Sequence, residues 1–368
     1  RILIRLNQEN FDFIFMAQAM KLAQKSSLTC RPNPAVGAVI VNNNEVIAEG
    51  YHERYGSDHA EVMAIKNCVD ASRLNQSTIY ITMEPCSHQG KTPPCVDLIL
   101  ASNISRVVIA SLDPNPKVHG QGVKKLLDAN ITVDMGILEN QAFQLNRGFF
   151  SRMQYQKPYV VSKIAASVDG KTALRNSQSK WISGTESRAN VQQLRKQCDG
   201  ILTSYKTINV DNPQLNIRED GIIHQPYRFI LDTNLKLNMQ SQILQQPKVI
   251  VYHAEPLKSK PTVQAEFVQI SKKDHQLNLQ EIMAHMCSLE VNDLLVECGA
   301  DLNGVLIQEK WLDELVIFQA NSILGGEAKS MFNLPIIDEM QHRIQLEMVE
   351  QRYFGTDRRF KFKVNYVD

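Results

Sequence analysis

The 368-residue sequence predicts an α/β protein of two domains. Three observations carry this. Single cores stop growing near ~250 to 300 residues, so a chain of this length divides. Short apolar runs of strand character alternate with stretches of helical periodicity, the pattern of layered α/β folds. A basic, aromatic, Pro-containing stretch, GFFSRMQYQKPY (148 to 159), interrupts that alternation. The boundary is therefore placed at Gln156, giving domains 1–156 and 157–368.

The elements follow in order. FDFIFMAQAM (11 to 20) reads as a core helix, with Phe13, Met16, Ala17 and Met20 at helical spacing. Asp12 and Lys21 keep it short of the ~20 apolar residues that span a bilayer, so no membrane is expected. VGAVIV (36 to 41), NNN (42 to 44) and EVIAEGY (45 to 51) read as a hairpin. HAEVMAIKNC (59 to 68) reads as a helix, TIYITM (78 to 83) as a strand, CVDLILASN (95 to 103) as a helix and RVVIAS (106 to 111) as a strand. In the second half YVVSKIAAS, DGILTS, RFILDT, KVIVYH, DLLVECG and ELVIFQA each read as a buried strand, with SRANVQQLRKQ as an intervening helix.

Composition narrows the function. The 40 Lys+Arg and 39 Asp+Glu leave a formal charge of +1, which is not the bias of a protein that tracks a nucleic-acid backbone. A small-molecule substrate is expected, with no nucleic acid as partner. The seven cysteines are an odd number scattered over a long chain, and the N-terminal stretch does not read as a secretory leader. A disulfide framework is not expected, and the cytoplasm is the expected compartment.

His59-Ala60-Glu61 opens one helix, and Pro85-Cys86 follows a strand one supersecondary unit later. His59, Cys86 and Cys95 supply three metal ligands and leave a fourth position for water, the mark of a catalytic zinc. Such a zinc lowers the pKa of its water. Glu61, two residues past His59, stands beside the metal without ligating it and moves protons. This is the H-x-E…P-C-x-x-C pattern of zinc deaminases, except that eight residues instead of two separate Cys86 from Cys95. Taken singly, HAE is a common helix start and buried cysteines are mostly packing. The combination carries the reading, with one Zn²⁺ per chain.

PNPAVGAVIV, GYH, HAE and EPCSHQGKTPPC resemble the deaminase half of the bifunctional RibD family of riboflavin biosynthesis, a pyrimidine deaminase joined to a reductase. The resemblance implies a cytidine-deaminase-like three-layer domain acting on a diaminopyrimidinone that carries a 5-phosphoribosylamino group. It further implies that Asn33, His52, His88 and Lys91 contact the substrate, Lys91 as a point charge for phosphate.

The second half lacks G-x-G-x-x-G, so an ordinary Rossmann site is not supported. DLLVECG followed by GADLNG (299 to 304) offers a Gly turn between strand and helix, weak by itself as a diphosphate site. SKIAASVDGKTA, SKWISG and TINVDNPQLNIR are similar to the reductase domain of the same family, which is built like dihydrofolate reductase and uses NADPH. That likeness implies cofactor contacts at Ala165, Trp181, Thr207, Asp211, Thr233 and the turn Gly299, Ala300, Asp301, Leu302, Asn303, Gly304 and Val305. It implies substrate contacts at Ser179, Arg195, Leu215, Arg218 and Glu297. Lys163 and Asp211 are candidates for proton handling during reduction.

Trp181 could instead be plain core, Arg195 a helix-surface charge and Asp211-Asn212-Pro213 a turn opener. A homo-oligomer is the expected assembly. Two rival functions are a nucleic-acid base deaminase and a non-enzymatic module with a structural zinc. Near-zero net charge argues against the first. Glu61 argues against the second, because a closed structural site has no use for a proton carrier.

Overall fold

The computed structural model describes residues 2–88, 93–116, 118–219 and 224–366. The chain divides into two compact units, Arg1–Gln156 and Lys157–Asp368. Among the described residues no helix is long and apolar enough to cross a membrane.

In unit 1 the elements are α1 (Ile2–Lys25), β1 (Gly37–Asn42), β2 (Glu45–Tyr51), α2 (Ala60–Lys66), β3 (Thr78–Ile81), α3 (Cys95–Ala101), β4 (Arg106–Ile109), α4 (Gln121–Asp128), β5 (Thr132–Met135), α5 (Glu139–Leu145) and α6 (Arg147–Tyr155). The sheet runs β2-β1-β3-β4-β5. β1 is antiparallel to both neighbours, while β3, β4 and β5 are parallel. Side chains alternate along β1. Ala38 and Ile40 meet Ala60 and Ala64 of α2, Val96 and Ile99 of α3, and Leu126 of α4. Val39 and Val41 meet Phe15, Met16 and Ala19 of α1 and Ala142 of α5. The sheet is thus covered on both faces, three layers in all.

The stripe of α1 differs from the expected one. Phe13 is 54% exposed, and Phe15, Met16, Ala19 and Met20 face the core. Asp12 belongs to the buried stripe because Arg106 donates to it at 2.7 and 2.8 Å and the Tyr80 hydroxyl at 2.6 Å. A paired carboxylate can occupy a position that hydropathy assigns to solvent. The 148–159 stretch is also not a linker throughout. α6 occupies most of it and ends at Gln156, whose φ of 54° lies in the left-handed region that terminates helices.

Unit 2 contains β6 (Tyr159–Ala166), β7 (Lys171–Ala173), α7 (Thr185–Lys196), β8 (Gly200–Ser204), α8 (Tyr205–Asp211), β9 (Tyr227–Leu231), β10 (Val249–His253), β11 (Glu266–Gln269), β12 (Lys272–Lys273), β13 (Gln276–Leu277), α9 (Leu279–Ser288), β14 (Asp293–Val296), α10 (Ala300–Gln308), β15 (Glu314–Gln319), β16 (Lys329–Ser330), β17 (Gln345–Phe354) and β18 (Asp357–Asn365). Nine strands form one sheet in the order β11-β10-β9-β8-β14-β6-β15-β18-β17, and β7·β16 and β12·β13 are small separate ladders. The first seven are parallel. β18 and β17 close the sheet as an antiparallel hairpin.

Helices cover both faces of the parallel part. Ile282 and Met286 of α9 and Leu306 of α10 pack on one side, and Ile208 of α8 with Val191 and Leu194 of α7 on the other. Double burial explains why those strands read as continuous apolar runs instead of alternating ones.

Candidate zinc and cofactor sites

Three short segments bring the metal donors of unit 1 together. His59 is the extended residue before α2, Cys86 follows β3, and Cys95 is the first residue of α3. The His59 Nδ1 lies 3.2 Å from Cys95 Sγ and 3.6 Å from Cys86 Sγ. The three donor atoms all fall within 4.8 Å of one another. A tetrahedral zinc with Zn–S near 2.3 Å and Zn–N near 2.0 Å spaces its ligands by roughly 3.5 to 3.8 Å, so the donor set fits. The hydrogen bond between the two thiols holds Cys86 below and Cys95 above the ordinary thiol range, so one proton stays on Cys95, and the Cys86 hydrogen bond raises His59 to about 8. The Cys86 thiolate is the anionic donor, and a metal would displace the protons of Cys95 and His59.

Glu61 is buried in the first turn of α2, where burial raises its carboxyl to about 7 despite the opposing pull of His59. That is the range for a group that must both take and give a proton near neutrality. α2 sits close on β2 because Gly50 has no side chain. A Cβ there would lie 2.3 Å from Ala64 N and 2.4 Å from Ala60 O.

Asn33 and His52 meet, with Asn33 Nδ2 3.1 Å from His52 Nε2, and His52 Nδ1 3.0 Å from the Asp58 carbonyl. The His52 and His59 rings stand edge to face, 5.6 Å between centroids. Burial lowers the His52 pKa, so the neutral ring is favoured. His88 is close enough for its charge to act on Asp113. Lys91 lies outside the described residues.

In unit 2 Ala165, Thr233 and Glu297 stand at or just past the C-terminal ends of β6, β9 and β14, the end at which open α/β sheets bind ligands. Arg195 of α7 donates to both Glu297 carboxylate oxygens at 2.6 and 3.1 Å, and Lys163 Nζ of β6 is 3.1 Å from the same group. Burial alone would push the Glu297 carboxyl up, but Arg195 and Lys163 outweigh it and hold it down to about 2. Arg195 is buried and also donates to the Asn216 carbonyl, so it is no helix-surface charge. Leu215 is buried with φ 51°. Asp211 ends α8 and is not a member of the Lys163–Arg195–Glu297 cluster.

Ala165 lies near the end of β6, Thr207 on α8, and Thr233 just past β9, where its carbonyl accepts from Ala254 N. Trp181 is 70% exposed with the Arg188 guanidinium 4.5 Å over its ring, so it is not core. Ser179 is half-buried, and Arg218 is exposed with its N–H given to Gln192.

The segment read as a turn from Gly299 to Val305 is instead a helix. Gly299 is the extended residue before α10, and α10 starts at Ala300. A Cβ on Gly299 would meet nothing within 4 Å, an open space at the positive end of a helix. Such an open helix N-terminus is the kind of place where phosphate groups bind. Leu302, Asn303 and Gly304 point into the protein. Asn303 accepts from Ser162 at 2.7 Å, and a Cβ on Gly304 would lie 2.0 Å from Asn333 O. Asp301 pairs with Lys206 at 2.6 Å.

Comparison with known proteins gives the family of both units. Residues 10–111 match the cytidine and deoxycytidylate deaminase zinc-binding region, and residues 158–358 match the RibD C-terminal domain. Riboflavin biosynthesis protein RibD of Escherichia coli is 36% identical over 360 residues, covering 94% of this chain and 97% of that protein. The chain belongs to the RibD family. RibD of Aquifex aeolicus is 37% identical over 84% of this chain and 87% of its own. Among solved structures, Acinetobacter baumannii RibD superposes with a TM-score of 0.89 at 33% identity, covering 97% of this chain and 100% of the other. The Thermotoga maritima diaminohydroxyphosphoribosylaminopyrimidine deaminase/5-amino-6-(5-phosphoribosylamino)uracil reductase gives 0.86 at 30% identity, with the same coverages. Like other RibD proteins, this one is a bifunctional deaminase and reductase with a zinc-binding deaminase domain and an NADPH-dependent reductase domain.

Two RibD site neighbours escaped the sequence reading. Burial raises Asp113 to about 6, next to His88, and its signal was the D-P-N-P turn after β4. Asn146, between α5 and α6, accepts from Ala35 N at 2.7 Å and donates to Ala35 O at 3.0 Å. It thereby pins the loop that carries Asn33, and nothing local in its sequence advertises this.

Proposed function

We propose that unit 1 hydrolyses the ring amino group of diaminohydroxyphosphoribosylaminopyrimidine and that unit 2 then reduces the ribosyl group of the resulting 5-amino-6-(5-phosphoribosylamino)uracil, the two activities named for the Thermotoga relative. The observation that carries this is the convergence of His59, Cys86 and Cys95 beside a buried Glu61. Those three side chains would hold a zinc, which would supply the Lewis acidity that makes water nucleophilic near neutral pH. Glu61 takes the proton from that water and delivers it to the departing nitrogen. The C2–N bond breaks, an oxygen replaces it, and ammonia leaves. Asn33 and His52, already hydrogen-bonded to each other, orient the pyrimidine. His88 and Lys91 read the phosphoribosyl arm.

In unit 2 a bound NADPH would supply the hydride that C1′ gains. The C1′–O4′ bond is lost, and one proton is taken up on the freed hydroxyl. Lys163 delivers that proton, oriented by Glu297, which Arg195 holds from the other side. Arg195 therefore acts through Glu297, and the exposed Arg218 meets the phosphate. Ala165, Trp181, Thr207, Thr233 and the first turn of α10 line the cofactor, while Ser179 and Leu215 shape the substrate pocket. Asp211 contributes from the cofactor side.

A reducing, cytoplasmic setting suits the seven free cysteines. Self-association suits β17, which pairs with β18 alone among the described strands and exposes Leu346, Met348, Val349 and Tyr353.

Incubation with the diaminopyrimidine ribonucleotide should release one ammonia per substrate without NADPH. NADPH deuterated at C4 should then place label at C1′ of the product. Deuterium found only in solvent contradicts direct hydride transfer.

A further inference from the structure

Glu84 stands two residues before Cys86 and is buried, yet it is neither a ligand nor a proton carrier in the reaction above. One carboxylate oxygen accepts from Asp113 N at 3.1 Å and Gly120 N at 2.9 Å. The other accepts from Gly122 N at 2.8 Å and Val123 N at 3.2 Å. Two of these donors belong to the first turn of α4, where a negative charge also complements the helix dipole. Glu84 N donates to Ser111 O at 2.9 Å, closing the bracket from the main chain. A second observation is how closely α4 seats on this segment. Gly122 lies so close to the same segment that a Cβ there would fall 2.3 Å from the Pro85 carbonyl oxygen.

We propose that Glu84 is a positioning residue for the deaminase, one carboxylate that fixes the Cys86 segment against α4 and against the 113–120 loop. The inference rests on the reading of His59, Cys86 and Cys95 as zinc ligands. The geometry gives the carboxylate two jobs. Through Pro85 it sets where the Cys86 sulfur lies, because α4 buttresses the main chain between them. Through Asp113 N it holds the loop whose carboxyl stands near His88, so the wall of the pyrimidine site moves with the ligand segment. Four N–H donors on two oxygens leave no place for an amide, since one of its ends would present hydrogens to two donors.

The test is Glu84→Gln in the full chain. Outer partners of metal ligands typically change metal affinity or activity by ~10 to 100-fold. Zinc should therefore leave to a chelator at least about tenfold faster than from the unaltered protein. The thiolate and d–d bands of the cobalt-substituted protein should shift. Deaminase kcat should fall by at least about tenfold with a rise in KM, while reductase activity stays unchanged and reports that the chain is folded. If the variant is insoluble, Gly122→Ala, whose Cβ would press on the Pro85 carbonyl oxygen and on the Glu84 side chain, is read by the same assays. Zinc release, cobalt bands and deaminase constants all within about twofold of the unaltered protein, whatever the melting temperature, would overturn the proposal. Absence of zinc from the unaltered protein would overturn the ligand reading itself, and this inference with it.

Discussion

At the scale of single residues, the deaminase rests on Glu61 having a task distinct from its ligand neighbours. Glu61→Gln should keep zinc bound and slow ammonia release by ~10² to 10⁴-fold, the usual contribution of a general acid and base. Metal content and initial rates on one preparation check this, and a rate near that of the unaltered enzyme would require another base. Glu297 makes a stability prediction. Its folded pKa, about 2, lies below the ordinary 4.5, so its contribution is fully present above pH 4.5 and drains away as pH falls toward 2. Glu297→Ala leaves the buried Arg195 without its carboxylate and should cost unit 2 about 3 to 5 kcal/mol, measured by urea unfolding at neutral pH. A loss under about 1 kcal/mol would mean that water or another group replaces the partner. The metal ligands were legible in the sequence because each sits at the edge of a short motif. Glu84 and Asn146 were not, because their partners lie 29 to 39 and 111 residues away and only the fold brings them near.

The elements show where pattern reading succeeds. Apolar runs gave the parallel strands of unit 2, since burial on both faces leaves continuous Val, Ile and Leu. The β17–β18 hairpin was missed because its alternation is broken by Glu, Gln and Arg, and β17 is exposed along most of its length. α10 was read as a turn because its two glycines look like turn residues. One of them, Gly304, is inside the helix for close approach to Asn333, and only Gly299 faces open space. The two positions should therefore respond differently. Gly299 has φ −84° and no neighbour within 4 Å of its Cβ position, so Gly299→Val meets no clash and should lower the melting temperature only by the small cost of a poorer helix N-cap. NADPH binding should weaken by at least about tenfold, as expected where backbone must approach phosphate. Titration calorimetry with NADPH checks this, and unchanged affinity would move the diphosphate away from α10.

For the whole molecule, the two compact units predict separable folding. A 157–368 fragment should be soluble and unfold cooperatively on heating, because both helix layers of its sheet come from within it. Aggregation under every condition would mean that its core needs unit 1. The central claim is two chemistries on two units of one RibD chain, and paired single-site variants test it most directly. Ammonia release from the diaminopyrimidine ribonucleotide and NADPH oxidation by the deaminated ribonucleotide should be measured side by side for Cys86→Ala and Lys163→Met. Cys86→Ala should lose zinc and ammonia release but still oxidise NADPH, and Lys163→Met should release ammonia normally and fail to oxidise NADPH. Loss of both activities in either soluble variant would contradict it.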